Sequence, residues 1–125
     1  MGDCRATDCR ATEGRAAEGR VLALLQQRGW SLLERNWRCR WGELDLLLAK
    51  PGRLLLVEVK GRRTAGPDLW GSRRLSQGQG RRLHRSYACW LAVHPEQALL
   101  PVEVVLALVR LGPHGQVRWL RLHEL

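Results

Sequence analysis

Apolar and polar positions change their period several times along this chain, and each change marks an element. Between Glu13 and Gln27, the apolar residues Ala17, Val21, Leu24 and Leu25 recur at helical spacing, and Gly29 supplies a stop. Leu32 to Trp37 reads as a short strand. Glu43 to Ala49 and Leu54 to Lys60 read as two more, joined by the turn Lys50-Pro51-Gly52-Arg53. From Gly61 to Gly80 the chain is rich in Arg and Gly and predicts an irregular loop. Ser76 can cap a second helix that continues through Leu83, Tyr87, Trp90 and Leu91 until Pro95. Two last strands, Val102 to Leu111 and Gln116 to Leu122, flank the turn Gly112-Pro113-His114-Gly115. The order helix, three strands, helix, two strands predicts one mixed α/β layered domain over residues 13–125. A flexible tail over residues 1–12, containing the duplication DCRAT-DCRAT, is expected before it.

At 125 residues, with 45% hydrophobic and 26% charged positions, the chain can bury a core without disulfide or metal staples. No apolar run approaches the ~20 residues that cross a bilayer, and the first ten residues lack the apolar segment of a secretory signal. The expectation is a cytoplasmic protein with no membrane partner. Cys4, Cys9, Cys39 and Cys89 form no CxxC pair and read as free thiols. The histidines His84, His94, His114 and His123 are scattered without metal-binding spacing, and Gly78-Gln79-Gly80 lacks the Lys-Ser/Thr ending of a phosphate loop.

Charge adds the first positive clue. Twenty-one basic residues against 12 acidic ones give a net charge of +9, which favours polyanionic partners through phosphate contacts. A solvated basic surface is the other reading. Of those 21, only Lys50 and Lys60 are lysine. Between Gly61 and Ser86, the arginines Arg62, Arg63, Arg73, Arg74, Arg81, Arg82 and Arg85 stand against a single acid, Asp68. They could grip a nucleic-acid backbone or simply form a charged loop. No base-reading motif is visible, so readout of shape or of a junction is favoured over sequence specificity. Six Trp and no Phe raise the question of base stacking. Trp30, Trp37, Trp90 and Trp119 fall in periodic segments and read as core, which leaves Trp41 and Trp70 as stacking candidates.

The second and third strands carry the chemistry. They read Glu43-Leu44-Asp45-Leu46-Leu47-Leu48 and Leu55-Leu56-Val57-Glu58-Val59-Lys60. Carboxylates within such apolar strands are costly unless paired or bound to a cation. Strand alternation sets Glu43 with Asp45 and Glu58 with Lys60. A hairpin symmetric about Pro51-Gly52 then puts Asp45 opposite Glu58 and Glu43 opposite Lys60, so one face presents three carboxylates and one ammonium. Opposed carboxylates repel unless a positive charge lies between them, and oxygen donors of this kind suit Mg²⁺ or Mn²⁺. Lys60 could orient or deprotonate water, or stabilise charge on a phosphate, and Arg could not accept that proton. An inert, salt-bridged strand pair would use the same three residues.

These segments resemble a known family. GELDLL at 42–47 followed by VEVKGR at 57–62 is similar to the core of the PD-(D/E)XK nuclease superfamily. With ERNWR at 34–38, the Glu18 helix and the Leu-Ser…Arg-Arg-Leu run at 75–83, the chain resembles the YraN family of small predicted endonucleases over about residues 14–110. The resemblance implies a restriction-endonuclease-like fold, a mixed sheet flanked by helices. It matches Asp45 and Glu58 to metal ligands, Lys60 to a catalytic lysine and Glu18 to an acidic residue near the metal. Glu43 would be a supporting residue or a partner for Lys60. The chain departs from the family at Gln79, where Lys is usual, and at Pro101-Val102-Glu103, where Arg-Phe-Asp is frequent.

The expected function is therefore a metal-dependent endonuclease acting on DNA. The alternative is a non-catalytic nucleic-acid-binding or adaptor module with the same fold. A homodimer would suit an enzyme that cuts two strands.

Overall fold

The computed structural model of the chain describes residues 6–62, 77–113 and 115–122. Its elements are α1 (Ala6–Gln27), β1 (Ser31–Cys39), β2 (Gly42–Lys50), β3 (Arg53–Arg62), α2 (Gln77–Val93), a 3-10 turn at Pro95–Gln97, β4 (Val102–Arg110) and β5 (Val117–Leu122). They build a mixed α/β fold with one five-stranded sheet in the order β1-β2-β3-β4-β5. Among the described residues no helix is long and apolar enough to cross a membrane.

The sheet is antiparallel except where β3 meets β4, which run parallel from Leu54↔Val102 to Arg62↔Arg110. Parallel neighbours need a long crossover, and α2 lies in it. One face of the sheet is covered by Ala17, Val21 and Leu25 of α1, packed on Leu46, Leu48, Leu55, Val57, Val105, Ala107 and Val109. The other is covered by Leu83, Tyr87 and Trp90 of α2, packed on Leu44, Leu47, Leu54, Leu56 and Val104. Strands buried on both faces read as unbroken apolar runs, which explains Leu54–Val57 and Val104–Val109.

Several boundaries differ from those the spacing predicts. Helix α1 starts at Ala6, not Glu13, because the duplication carries no Pro or Gly to stop a helix. Strand β1 runs to Cys39, beyond Trp37. Strand β3 continues through Gly61 and Arg62, where a loop is expected, because β4 pairs with both residues. Gly61 also lets this strand pass close beneath α1, since a Cβ there would lie 3.3 Å from the Ala17 Cβ. Helix α2 begins at Gln77, so Gln77 to Gly80 are helical despite their two glycines. The Ser76 cap and most of the Arg-rich loop lie outside the described residues.

Candidate functional site

The hairpin register is the expected one from Lys50↔Arg53 to Leu46↔Val57, and there the ladder ends. The predicted strand pairs Asp45–Glu58 and Glu43–Lys60 are absent from it. Had the ladder continued, Val59 would have faced Leu44. Instead the Val59 N–H donates to Asp45 Oδ2 at 2.9 Å, so a side-chain oxygen takes the role of a strand carbonyl. The fork opens beside a second irregularity. On the β1 side, the pairs Arg35↔Leu46 and Trp37↔Leu44 skip Asn36 and Asp45, and Asn36 has φ 53°. Leu46 packs beneath α1 but Leu44, two residues away, packs with α2. Strict alternation therefore slips at Asp45, and the face assignment that assumed it fails at this residue.

The slip still brings the expected acids together. A cleft of about 210 Å³, far above the ~15 Å³ that one water needs, is lined by Gly42, Glu43, Asp45, Glu58, Gln79, Arg82, Leu83 and Ser86. Asp45 and Glu58 both line this cleft, and Lys60 Nζ stands 3.9 Å from Glu58 Oε1. Burial pushes the Asp45 carboxyl up to about 6; the Val59 N–H opposes this, the charges of Glu18 and Glu43 reinforce it, and Lys60 pulls back. Burial likewise pushes Glu58 up to about 8, with the Asp45 charge adding to the rise and Lys60 opposing it. Near neutral pH the pair thus retains about one proton, held where two carboxylates share a low-dielectric space.

Glu18 approaches from α1. It is buried, accepts a hydrogen bond from Asn36 Nδ2 at 3.0 Å and lies 3.7 Å from Arg35 Nε. Arg35 also donates to the Arg15 carbonyl, which ties β1 to the helix. Glu43 is not a partner for Lys60, since Arg38 Nε donates to its Oε2 at 3.0 Å. Among the described residues no group of three or more Asp, Glu, His or Cys converges on one point, so the metal-competent donors are the pair Asp45 and Glu58. Two carboxylates completed by waters and a phosphate oxygen are a normal protein contribution to a Mg²⁺ shell.

Of the predicted backbone-gripping arginines, Arg82 lines the cleft, and Arg81 and Arg85 are exposed beside it on α2. Arg63, Arg73, Arg74 and Trp70 lie outside the described residues, as does the Arg62 side chain. Trp41 sits under two guanidinium groups, with Arg40 at 4.6 Å and Arg85 at 4.7 Å from its ring centre. Trp90 is fully buried, and Trp30, Trp37 and Trp119 pack against the two cores. Trp30 also holds Lys50 at 4.7 Å over its ring.

Asn36 and Ser86 are site residues that the spacing does not reveal. Asn36 carried a signal in its ability to adopt positive φ. Ser86 carried one as a small polar residue on the buried face Leu83-Tyr87-Trp90.

The model of the uncharacterised protein family UPF0102 matches residues 17–110. The chain belongs to the UPF0102 family. It is 51% identical over 106 residues to a UPF0102 protein of Prochlorococcus marinus strain MIT 9303, covering 84% of each chain. It is 52% identical over 103 residues to one of Synechococcus sp. strain CC9902, covering 82% of this chain and 85% of that one. A UPF0102 protein of Gloeobacter violaceus is 40% identical over 94 residues, 75% of each chain. This is the YraN-like family to which GELD, ERNWR and VEVK point. The UPF0102 span contains every candidate residue from Glu18 to Arg85.

Proposed function

We propose that this protein is a metal-dependent endonuclease of the PD-(D/E)XK type, with a restriction-endonuclease-like sheet, hydrolysing phosphodiester bonds in DNA by structure rather than sequence. The observation that carries this reading is the pair of buried Asp45 and half-buried Glu58, beside Lys60, in a cleft edged by Arg82. The donor set fits a hard divalent cation, because two oxygen acids that hold a proton between them at neutral pH offer the charge and ligand type that Mg²⁺ or Mn²⁺ prefers. Asp45 and Glu58 would hold that ion, which when bound activates water and offsets charge on the phosphate.

The chain's own residues do the rest. Lys60, tethered by Glu58, would bring an ammonium beside that carboxylate to orient the attacking water and stabilise negative charge growing on the phosphate oxygens. Arg81, Arg82 and Arg85 hold the flanking backbone through charge-assisted hydrogen bonds. Glu18 adds negative potential behind Asp45 and strengthens its hold on a positive charge.

The test is a melting titration with Mg²⁺ and Mn²⁺ beside a cleavage panel of single-stranded, duplex and branched DNA and RNA. The expected result is metal-induced stabilisation that Asp45→Asn removes, and cleavage that both Asp45→Asn and Lys60→Ala abolish. A chain that binds DNA without metal stabilisation or cleavage would be a binding module, and the enzymatic reading would fall.

A further inference from the structure

We propose that Trp41, Arg40 and Arg85 form a stacking site for an unpaired DNA base at the rim of the carboxylate cleft. The inference deepens the reading above and rests on it, because it names the strand form that the cleft takes. Arg40 and Trp41 make the turn between β1 and β2, closed by the pair Cys39↔Gly42. Arg85 comes from α2. The guanidinium carbons of Arg40 and Arg85 stand 4.6 Å and 4.7 Å from the centre of the indole ring. The turn can rest on α2 because Gly42 has no side chain; a Cβ there would lie 3.4 Å from Ser86 Oγ. Gly42 and Ser86 line the cleft, as does Arg82, about one turn before Arg85. Chain connectivity therefore puts the ring and both cations at the cleft's edge.

Exposure and charge make this cluster a binding surface. Both arginines are exposed and the ring is half-buried, so solvent reaches the stack. Among the described residues neither guanidinium has an ion-pair partner, and the nearby Glu43 is taken by Arg38. Two like charges gathered on one ring, with no carboxylate between them, favour an anion. Trp30 also carries two cations, Lys50 and Arg53, but it packs on the α1 core at the hairpin turn, away from the carboxylates.

An exposed guanidinium gains little from an indole face. A nucleobase on the same ring gains more, and the guanidinium itself gains more from a phosphate, through charge-assisted hydrogen bonds. An arriving nucleotide satisfies both at once. Its base takes the place of one guanidinium on Trp41, and that guanidinium turns to the phosphate. Bases within a duplex are already stacked on both faces, so only an unpaired nucleotide makes this exchange. Stacking tolerates any base, which agrees with a chain that shows no base-reading motif. The site thus selects single-stranded segments and steadies the strand beside the carboxylates.

The test uses the full chain in EDTA, so that binding is read apart from cleavage. Fluorescence anisotropy compares a labelled oligothymidylate, an abasic strand of equal length and a blunt duplex. The parent chain should bind the thymidine strand about tenfold more tightly than the abasic one. Trp41→Leu should erase that difference by weakening the thymidine strand alone, and Trp41→Tyr should restore most of it. The salt dependence of Trp41→Leu should match that of the parent chain, because the phosphate contacts remain. Equal affinity of the parent chain for the two strands would overturn the stack, whether or not the cleavage panel supports a nuclease. A Trp41→Leu loss shared by the abasic strand and the duplex, or a shallower salt slope, would overturn it too. Base discrimination in a chain that cleaves nothing would uphold the stack and remove the enzymatic reading alone.

Discussion

The Asp45 carboxylate accepts the Val59 N–H at 2.9 Å, just beyond Leu46↔Val57, the last pair of the β2–β3 hairpin. That bond does two things together. It satisfies a backbone donor that the opened ladder would otherwise strand, and it anchors the carboxylate that shares the cleft with Glu58. The break in the sheet and the acidic site are thus one feature.

Asp45 substitutions separate these roles. Asp45→Asn keeps an oxygen acceptor for Val59 and removes the repulsion with Glu58, so its stability should match or exceed that of the parent chain. Asp45→Ala leaves the N–H without its partner and should cost about 1–3 kcal/mol. Urea denaturation of both variants measures the difference, and equal losses would show that the hydrogen bond contributes nothing.

Asp45 and Glu58 bind protons more tightly in the folded chain, at about 6 and about 8, than the ordinary carboxylate values of 3.8 and 4.5 that unfolding restores. The resulting stabilisation is complete below about pH 4 and is lost as pH rises through 6 and then 8. Relative to Asp45→Asn/Glu58→Gln, the melting temperature of the parent chain should therefore fall across that window. Mg²⁺ should recover more stability at pH 8 than at pH 5, because it competes with the retained proton. Melts in a buffer series test both, and a flat difference would remove the electrostatic coupling.

Lys60 lowers the proton affinity of Glu58 from 3.9 Å away. Lys60→Met should move the Glu58 midpoint above about 8, read by carbon-detected NMR titration of its side-chain carboxyl. Lys60→Arg should return the midpoint downward without restoring cleavage, because a planar guanidinium does not set a compact point charge where the ammonium orients the water. Full activity in Lys60→Arg would assign the residue a purely electrostatic role.

Asn36 combines a backbone at φ 53° with a hydrogen bond to Glu18. Asn36→Gly keeps the backbone and loses the bond. Asn36→Val loses both and adds a β-branched side chain in left-handed geometry, which should cost about 1–2 kcal/mol more. Chemical denaturation of the pair distinguishes strain from hydrogen bonding.

Replacing Arg81, Arg82 and Arg85 together by Ala should weaken DNA binding at every sequence alike. The slope of log affinity against log salt should shrink by roughly 0.7–0.9 for each phosphate that the variant no longer neutralises. Fluorescence anisotropy across a salt series reads this directly, and an unchanged slope would place the binding surface elsewhere.

Much of this architecture is written in short-range pattern. The Ala17-Val21-Leu25 spacing makes α1 a one-faced helix, the apolar runs of β3 and β4 demand cover on both sides, and the Lys50–Arg53 turn sets the register as far as Leu46↔Val57. Each depends on residues a few positions apart, where helix and strand periodicity act. The candidate acids were legible too, because Asp45 and Glu58 interrupt apolar strands and Lys60 is one of two lysines. Their arrangement was not. Strict alternation cannot anticipate a slip made by Asn36 and Asp45 together, nor Arg38 taking Glu43 from Lys60. Nor does any local rule bring Glu18 of α1 to Asn36 or Gly42 against Ser86. Those contacts arise only when two helices close on opposite faces of a sheet, since burial and charge act between neighbours in space however far apart they lie along the chain.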